Sequence, residues 1–521
     1  GTLDEDKEVI RAALRKHIHW HRNYDKVRGK ALDEKLKGVE DLYERLVPED
    51  LVVRHRWLFT NGWPELPARV RDGGFGKRGE LVETWRSDAL RELHSMHGLP
   101  GIEQLAIACA PQSYYVGFAL AKLNIDKANL ADWLVEMGGN FTVSEPLTMA
   151  ISGLLRALED KNSCELISLV LEKGKQSSWP AAQTASLLTL APVKRTTWDI
   201  VKSCGTETED CYWSAVSPDL RLSSDKNDFE FAVRRLLCSG RPRSALQACH
   251  FEMKDVEPGL LAEMLERFLK GEEPSGPLPD SWSLGEAVDA LEASGNIESD
   301  RLIRLEFGLI PVLGYEGEQH AKSLYNAILS EPKVFTELLC IIYKPENTER
   351  EVDPSESEKT AARIAWRVLH HCKQLPVSLP DGTVQHDRLV AFIEEARRLS
   401  SHADRLAVCD TNLGQLLAHS PVGIDSIWPF EPVRDLLDRP ELEDMRRGFH
   451  TGTMNKRGAT WRSPEDGGTQ ERTLATEYRN YARALQHSHV NLAAAIEKIA
   501  RSYERYGQRE DLDAQLRQEG H

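Results

Sequence analysis

Apolar residues recur at three- and four-residue spacing along nearly the whole chain, in runs closed by Gly or followed by Pro. That spacing places them on one face of an α-helix, and Gly and Pro are the usual helix stops. ANLADWLVEMGG, EPLTMAISGLLRALED, NSCELISLVLEKG, DFEFAVRRLLCSG and VFTELLCIIY all read this way. In SGLLRALE, Leu154, Leu155 and Leu158 share a face; in FAVRRLL, Phe231, Val233, Leu236 and Leu237 nearly do. Strict apolar-polar alternation is scarce, so little sheet is expected. The expected fold is all-α, an irregular α-solenoid of HEAT- or tetratricopeptide-like helical hairpins. No fixed repeat period survives, so an irregular helical domain is the competing arrangement.

Four segments are expected. Residues 1–79 hold charged helices and a Gly/Pro-rich loop over 59–80. Residues 80–345 form the repeat-like array. Residues 346–440 begin with an acidic linker (PENTEREVDPSESE), resume as helix over 356–373 and 386–419, and break at Pro421, Pro429, Pro432 and Pro440. Residues 441–521 carry a basic, Gly-rich loop and a C-terminal hairpin. In that hairpin Leu474, Tyr478, Tyr481 and Leu485 repeat the spacing of Leu492, Ile496, Ile499 and Tyr503 around HSH. Matching seams of this kind predict two antiparallel helices.

No apolar run approaches the roughly 18 residues of a membrane helix. The chain of 521 residues has a formal net charge of −16, against general nucleic-acid binding, which needs a Lys/Arg footprint. Nine scattered cysteines without CxxC fit reduced thiols in a cytoplasmic protein. The opening Gly-Thr, in place of Met, is expected for a chain that lacks an N-terminal piece or has lost a tag, and a piece cut from a longer protein is the favoured reading.

Recognisable chemistry is sparse. HIHWH places His17 and His21 one helical turn apart, but the Glu of a HExxH zinc site is missing. A polar helix surface with a packed Trp20 is the plainer reading. His94 and His97 with Glu92 are a similarly weak constellation. His370, His371 and Cys372 are adjacent and diverge on a helix. Cys204 and Cys211 read as ordinary thiols. No nucleophile elbow, Walker A loop or GxGxxG is present. No cofactor or metal is expected.

The stretch MNKRGATWRSPEDGGTQER, Met454 to Arg472, is the main candidate site. Between Arg446 and Arg483 the chain carries eight Lys/Arg against four Asp/Glu, a basic island in an acidic protein. Lys456, Arg457, Trp461, Arg462 and Arg472 are the candidate contacts to an acidic partner. A solvated inter-helix loop, with its Arg residues paired to nearby acids, is the alternative.

RHRWLFTNGWPELP (Arg54 to Pro67), FAVRRLLCSGRPRSAL (Phe231 to Leu246), IIYKP, AFIEEARRL, LGQLLAHSP, GGTQERTLATEYR and KIARSYER together resemble the C-terminal helical region of large bacterial anti-phage defence proteins. Some of these carry an N-terminal sirtuin-like NAD-degrading effector. The resemblance implies a non-enzymatic sensor or scaffold that contacts a protein partner, either a phage protein or the effector domain of the same protein. The effector would then lie outside these residues. An enzyme assembled from distant helices, near His370 or His94, stays open. So does a nucleotide or nucleic-acid sensor using the 446–483 patch.

Overall fold

The computed structural model describes residues 3–26, 29–70, 74–138, 144–217, 226–250, 252–314, 317–347, 353–378, 384–458, 461, 463 and 466–518. Among these the chain is all-α, with short 3-10 turns and no strand. It forms two compact units, one from residues 1–250 with 271–278, the other from 251–270 with 279–521. No helix among the described residues is long and apolar enough to cross a membrane, and all nine cysteines are free.

The first unit opens with Leu3–Tyr24, which packs on Lys30–Arg45 and Leu51–His55. Its inward face is mostly polar, with Ile18 the apolar exception. Glu8, Arg11, Arg15, His19 and Asn23 are all buried, and each has a partner. Arg11 donates to the Tyr43 carbonyl at 3.0 Å and lies 4.0 Å over its ring. Arg15 pairs with Glu8 at 2.9 Å and sits over Trp57. His19 Nδ1 meets the Leu66 carbonyl at 2.8 Å. Trp20, expected to pack, is instead 53% exposed, because the helix turns its polar row inward. The Gly-rich 59–80 stretch is a loop only in part. Helix Gly74–Ala108 starts inside it, takes in Gly76 and Gly79, and bends at Gly98 (φ 61°) before Pro100. The cost of about 1 kcal/mol per helical Gly is offset by burial of Val82, Leu90 and Leu93 further along.

From Tyr114 to Ala215 the helices pack on their next-but-one neighbours. Tyr114–Leu120, Glu145–Ala157, Ala181–Leu190 and Thr206–Ala215 form one such row; Lys127–Glu136, Asp160–Gln176 and Arg195–Ser203 form another. In the first row, Gly117 and Gly153 let backbones touch. A Cβ on Gly117 would overlap the Ala150 carbonyl oxygen, and one on Gly153 the Tyr114 carbonyl oxygen.

In the second unit the core runs through Phe335, Phe392, Leu413, Trp428, Phe449 and Ile496. Trp428 stacks on Phe449 with ring centroids 4.8 Å apart and donates to the Ser420 carbonyl at 3.0 Å. The stretch expected as one helix over 386–419 is two, His386–His402 and Leu406–Leu417, broken where Asp404 adopts φ 56°. The short polar side chain of Asp tolerates that left-handed geometry better than most. The Pro-rich 420–440 stretch is broken, apart from helix Glu431–Leu437, where Pro432 sits in the first turn.

Leu406–Leu417 crosses Glu443–Lys456 at backbone contact. A Cβ on Gly414 would overlap the Met445 carbonyl oxygen, and one on Gly448 the Thr411 carbonyl oxygen. The C-terminal hairpin pairs Thr469–Leu485 with Val490–Gln518. Its seam is the one read from spacing, with Tyr478 and Tyr503 stacked at 5.5 Å and 4°. The second helix is longer than expected and runs on to Gln518. Asp438 caps its start from another helix end, accepting from the amides of Asn491 (2.7 Å) and Leu492 (3.1 Å).

Candidate interaction site

The 454–472 stretch is tied down at both ends. Arg457 forms an ion pair with Glu471, which is 1% exposed, and lies 5.7 Å over the Tyr503 ring. Arg472 pairs with Asp511, whose carboxylate also accepts from the Gly468 amide at 2.8 Å. That pairing holds the Asp511 pKa below the usual carboxylate range, with the Arg472 hydrogen bond as the main cause. Gly468 makes this closure fit, because a Cβ there would overlap the Gly507 carbonyl oxygen. Lys456 brings Nζ to 3.4 Å from the Ala418 carbonyl, and partial burial pulls its pKa down. Trp461 is 95% exposed, although its carbonyl accepts from Gln470 at 3.1 Å. Arg462 lies outside the described residues. The four described candidates do not form one patch: Arg457 and Arg472 are engaged internally, Lys456 lines a different pocket, and Trp461 stands out in solvent.

The basic surface lies beside this loop. A cleft of about 770 Å³ opens between helices Glu443–Lys456 and Val490–Gln518. One wall presents Arg446, Arg447 and His450, the other Lys498, Arg501 and Arg505. Residues 498, 501 and 505 are spaced three and four apart, so they share a helix face. Five Lys/Arg line the cleft against two carboxylates, Glu443 and Glu504. Glu504 is paired with Arg479 at 2.8 Å.

The cations divide by partner. Arg447 pairs with Asp444, and Arg501 with Glu497 at 3.3 Å. Arg446 donates to the carbonyls of Leu437, Arg439 and Pro440 and has no ion-pair partner among the described residues. Among the described residues Lys498 has no ion-pair partner, and Arg505 meets only the Ser502 hydroxyl at 3.3 Å. His450 Nε2 reaches the same hydroxyl at 3.0 Å. Burial, then the charges of Arg505 and Lys498, push the His450 pKa below its ordinary value. The cleft therefore gathers positive charge at the surface: Arg447, Lys498, Arg501 and Arg505 are solvent-exposed, and Arg446, Lys498 and Arg505 have no carboxylate partner among the described residues. The charge count over residues 446–483 finds Arg446 and Arg447 but stops short of Lys498, Arg501 and Arg505. The signal that finds them is their helical spacing in KIARSYER.

The remaining histidine candidates separate. His94 lines a cleft of about 750 Å³ in the first unit, and His370 a pocket of about 340 Å³ in the second. His17 and His21 have ring centroids 4.3 Å apart, with His21 bound to Asp25 at 2.6 Å. No group of three or more metal-ligating side chains gathers among the described residues.

No protein-family model, curated protein or solved structure matches the chain.

Proposed function

We propose that this chain is a non-enzymatic protein-interaction module whose basic interhelical cleft receives an acidic segment of a protein partner. The observation that carries the reading is the uncompensated charge of Lys498, Arg505 and Arg446 in one cleft of a protein with net charge −16. An isolated positive field in an acidic surface steers and orients an acidic ligand, while the rest of the molecule repels polyanions.

The proposal includes the architecture. Next-but-one helix packing from Tyr114 to Ala215 supports an irregular α-solenoid of HEAT- or tetratricopeptide-like hairpins, in which successive first helices stack and successive second helices stack. It also includes the biological setting that the resemblance implies: the sensor or scaffold region of a larger bacterial anti-phage defence protein, acting in the cytoplasm. The partner is then a phage protein or the effector domain of the same protein. Binding switches the effector only through a difference in affinity between its two states.

The test is capture from lysates of phage-infected and uninfected bacteria with two baits, the wild-type chain and Lys498→Glu/Arg505→Glu. The reading requires a protein held by the first bait and lost from the second. Identical recovery on both baits overturns the cleft as the site.

A further inference from the structure

The pocket of about 340 Å³ in the second unit has a composition at odds with the rest of the chain. Helices Glu356–His371, Leu406–Leu417 and Glu443–Lys456 contribute its walls. His370, Lys373, His419 and Lys456 line it, and among the described residues no carboxylate does. In a protein with 82 Asp and Glu against 66 Lys and Arg, an acid-free lining excludes cations and favours an anion.

Two further features narrow the ligand. Trp366 stacks on His370 with centroids 4.9 Å apart and planes 9° apart, yet Trp366 is 54% exposed. A half-exposed indole at a pocket wall is a stacking surface for a planar ring. The carboxamides of Gln415 and Asn455, and the imidazole of His419, have no hydrogen-bond partner among the described residues. Asn412 donates its amide nitrogen to the Val408 carbonyl at 2.8 Å and to the Tyr343 hydroxyl at 3.5 Å, and its side-chain oxygen has no hydrogen-bond partner among the described residues. These groups are donors and acceptors suited to the edge of a heterocycle. His419 is neutral near pH 7, since burial, with Lys456 and Lys373 nearby, pushes its pKa down to about 4. It therefore offers one donor and one acceptor. The floor is apolar, with Phe335 and Leu416 buried. The volume lies at the lower end of the roughly 300–1,000 Å³ usual for small-ligand pockets.

We infer that this pocket binds a small planar anion of the mononucleotide class, its ring against the Trp366–His370 stack and its phosphate toward Lys373 and Lys456. The site is separate from the basic cleft, so its failure leaves the protein-interaction reading standing.

The test is titration calorimetry of the full chain with AMP, GMP, CMP and UMP, and separately with adenosine and inorganic phosphate. At least one nucleotide binds at micromolar to millimolar concentration, and about tenfold or more tighter than phosphate or the nucleoside alone. Trp366→Ala and Lys456→Gln each weaken it by about tenfold, at unchanged circular dichroism and melting temperature. Both side chains are solvent-accessible, so neither change empties the core. No nucleotide binding at millimolar concentration overturns the inference. So does nucleotide binding no tighter than that of phosphate, or binding that neither substitution affects.

Discussion

His450 Nε2 and Ser502 Oγ approach to 3.0 Å across the floor of the basic cleft, joining its two helical walls. The imidazole is already disfavoured as a cation by burial and by Arg505 and Lys498. An anion bound between these groups reverses the balance and raises the His450 pKa. By linkage, a ligand that raises this pKa binds more tightly as pH falls through it. Affinity for an acidic partner is therefore expected to increase as pH falls toward and below 6.5, the ordinary histidine value, and His450→Asn to flatten that slope. Titration of the His450 ring by NMR, with and without partner, reads the shift directly.

Arg457, a candidate partner contact by sequence, is engaged within the chain by Glu471 and Tyr503. Its guanidinium faces a carboxylate that is 1% exposed. Removing one member of such a pair leaves the other charge buried, at about 3–5 kcal/mol. Arg457→Gln is expected to lower the free energy of unfolding by an amount of that order. Arg483→Gln, an exposed position on the same hairpin, is expected to change stability by less than about 0.5 kcal/mol. Chemical denaturation of both variants checks this.

The same substitution has opposite signs at two helical glycines. Gly448→Ala drives a methyl into the Thr411 carbonyl and is expected to destabilise by about 1–3 kcal/mol or more. Gly38→Ala, in helix Lys30–Arg45 with nothing within 4 Å, is expected to stabilise by about 0.5–1 kcal/mol. Thermal melts of the pair separate close approach from helix propensity.

Glu306 makes stability pH-dependent between about pH 4.5 and 7. Its carboxylate is fully buried and accepts from the Leu324 amide at 2.5 Å and the Ser323 amide at 3.3 Å. Burial, the largest influence, raises its pKa to about 7. The folded state then binds more protons than the unfolded state from about pH 4.5 to 7, so stability falls as pH rises through that window. His419 works in the opposite sense. Its folded pKa of about 4 lies below the unfolded value of 6.5, so it costs stability as pH falls from 6.5. Comparing melting temperatures of wild type and Glu306→Gln from pH 5 to pH 8 isolates the carboxyl. The wild type is expected to lose on the order of 1–3 kcal/mol relative to the variant across this range.

What the sequence made legible follows from which interactions are local. The three- and four-residue apolar spacing identifies the helices, and the Leu474–Leu485 and Leu492–Tyr503 seams identify the hairpin, because both are patterns within one element. Packing between elements was not legible. Gly448 and Gly452 look like ordinary helix weaknesses until Leu406–Leu417 is seen lying on them. Leu3–Tyr24 reads as a charged surface helix, yet Arg11 and Arg15 turn inward onto Tyr43 and Trp57. The candidate site shows the same limit. A linear count of charge over 446–483 cannot distinguish Arg457 and Arg472, which are spent on Glu471 and Asp511, from Lys498 and Arg505, which are not.

The central claim is that the cleft holds an acidic protein segment, and proximity labelling from inside it tests that claim most directly. Ala494 is exposed and lines the cleft, while Ala182 is exposed in the first unit. A photo-crosslinking residue placed at 494 is expected to form an adduct with one partner protein. That adduct should be rich in acidic residues at the linked peptide and absent in the Lys498→Glu/Arg505→Glu background; position 182 should give none. Equal adducts from both positions, or an adduct from 494 that survives charge reversal, would contradict the account.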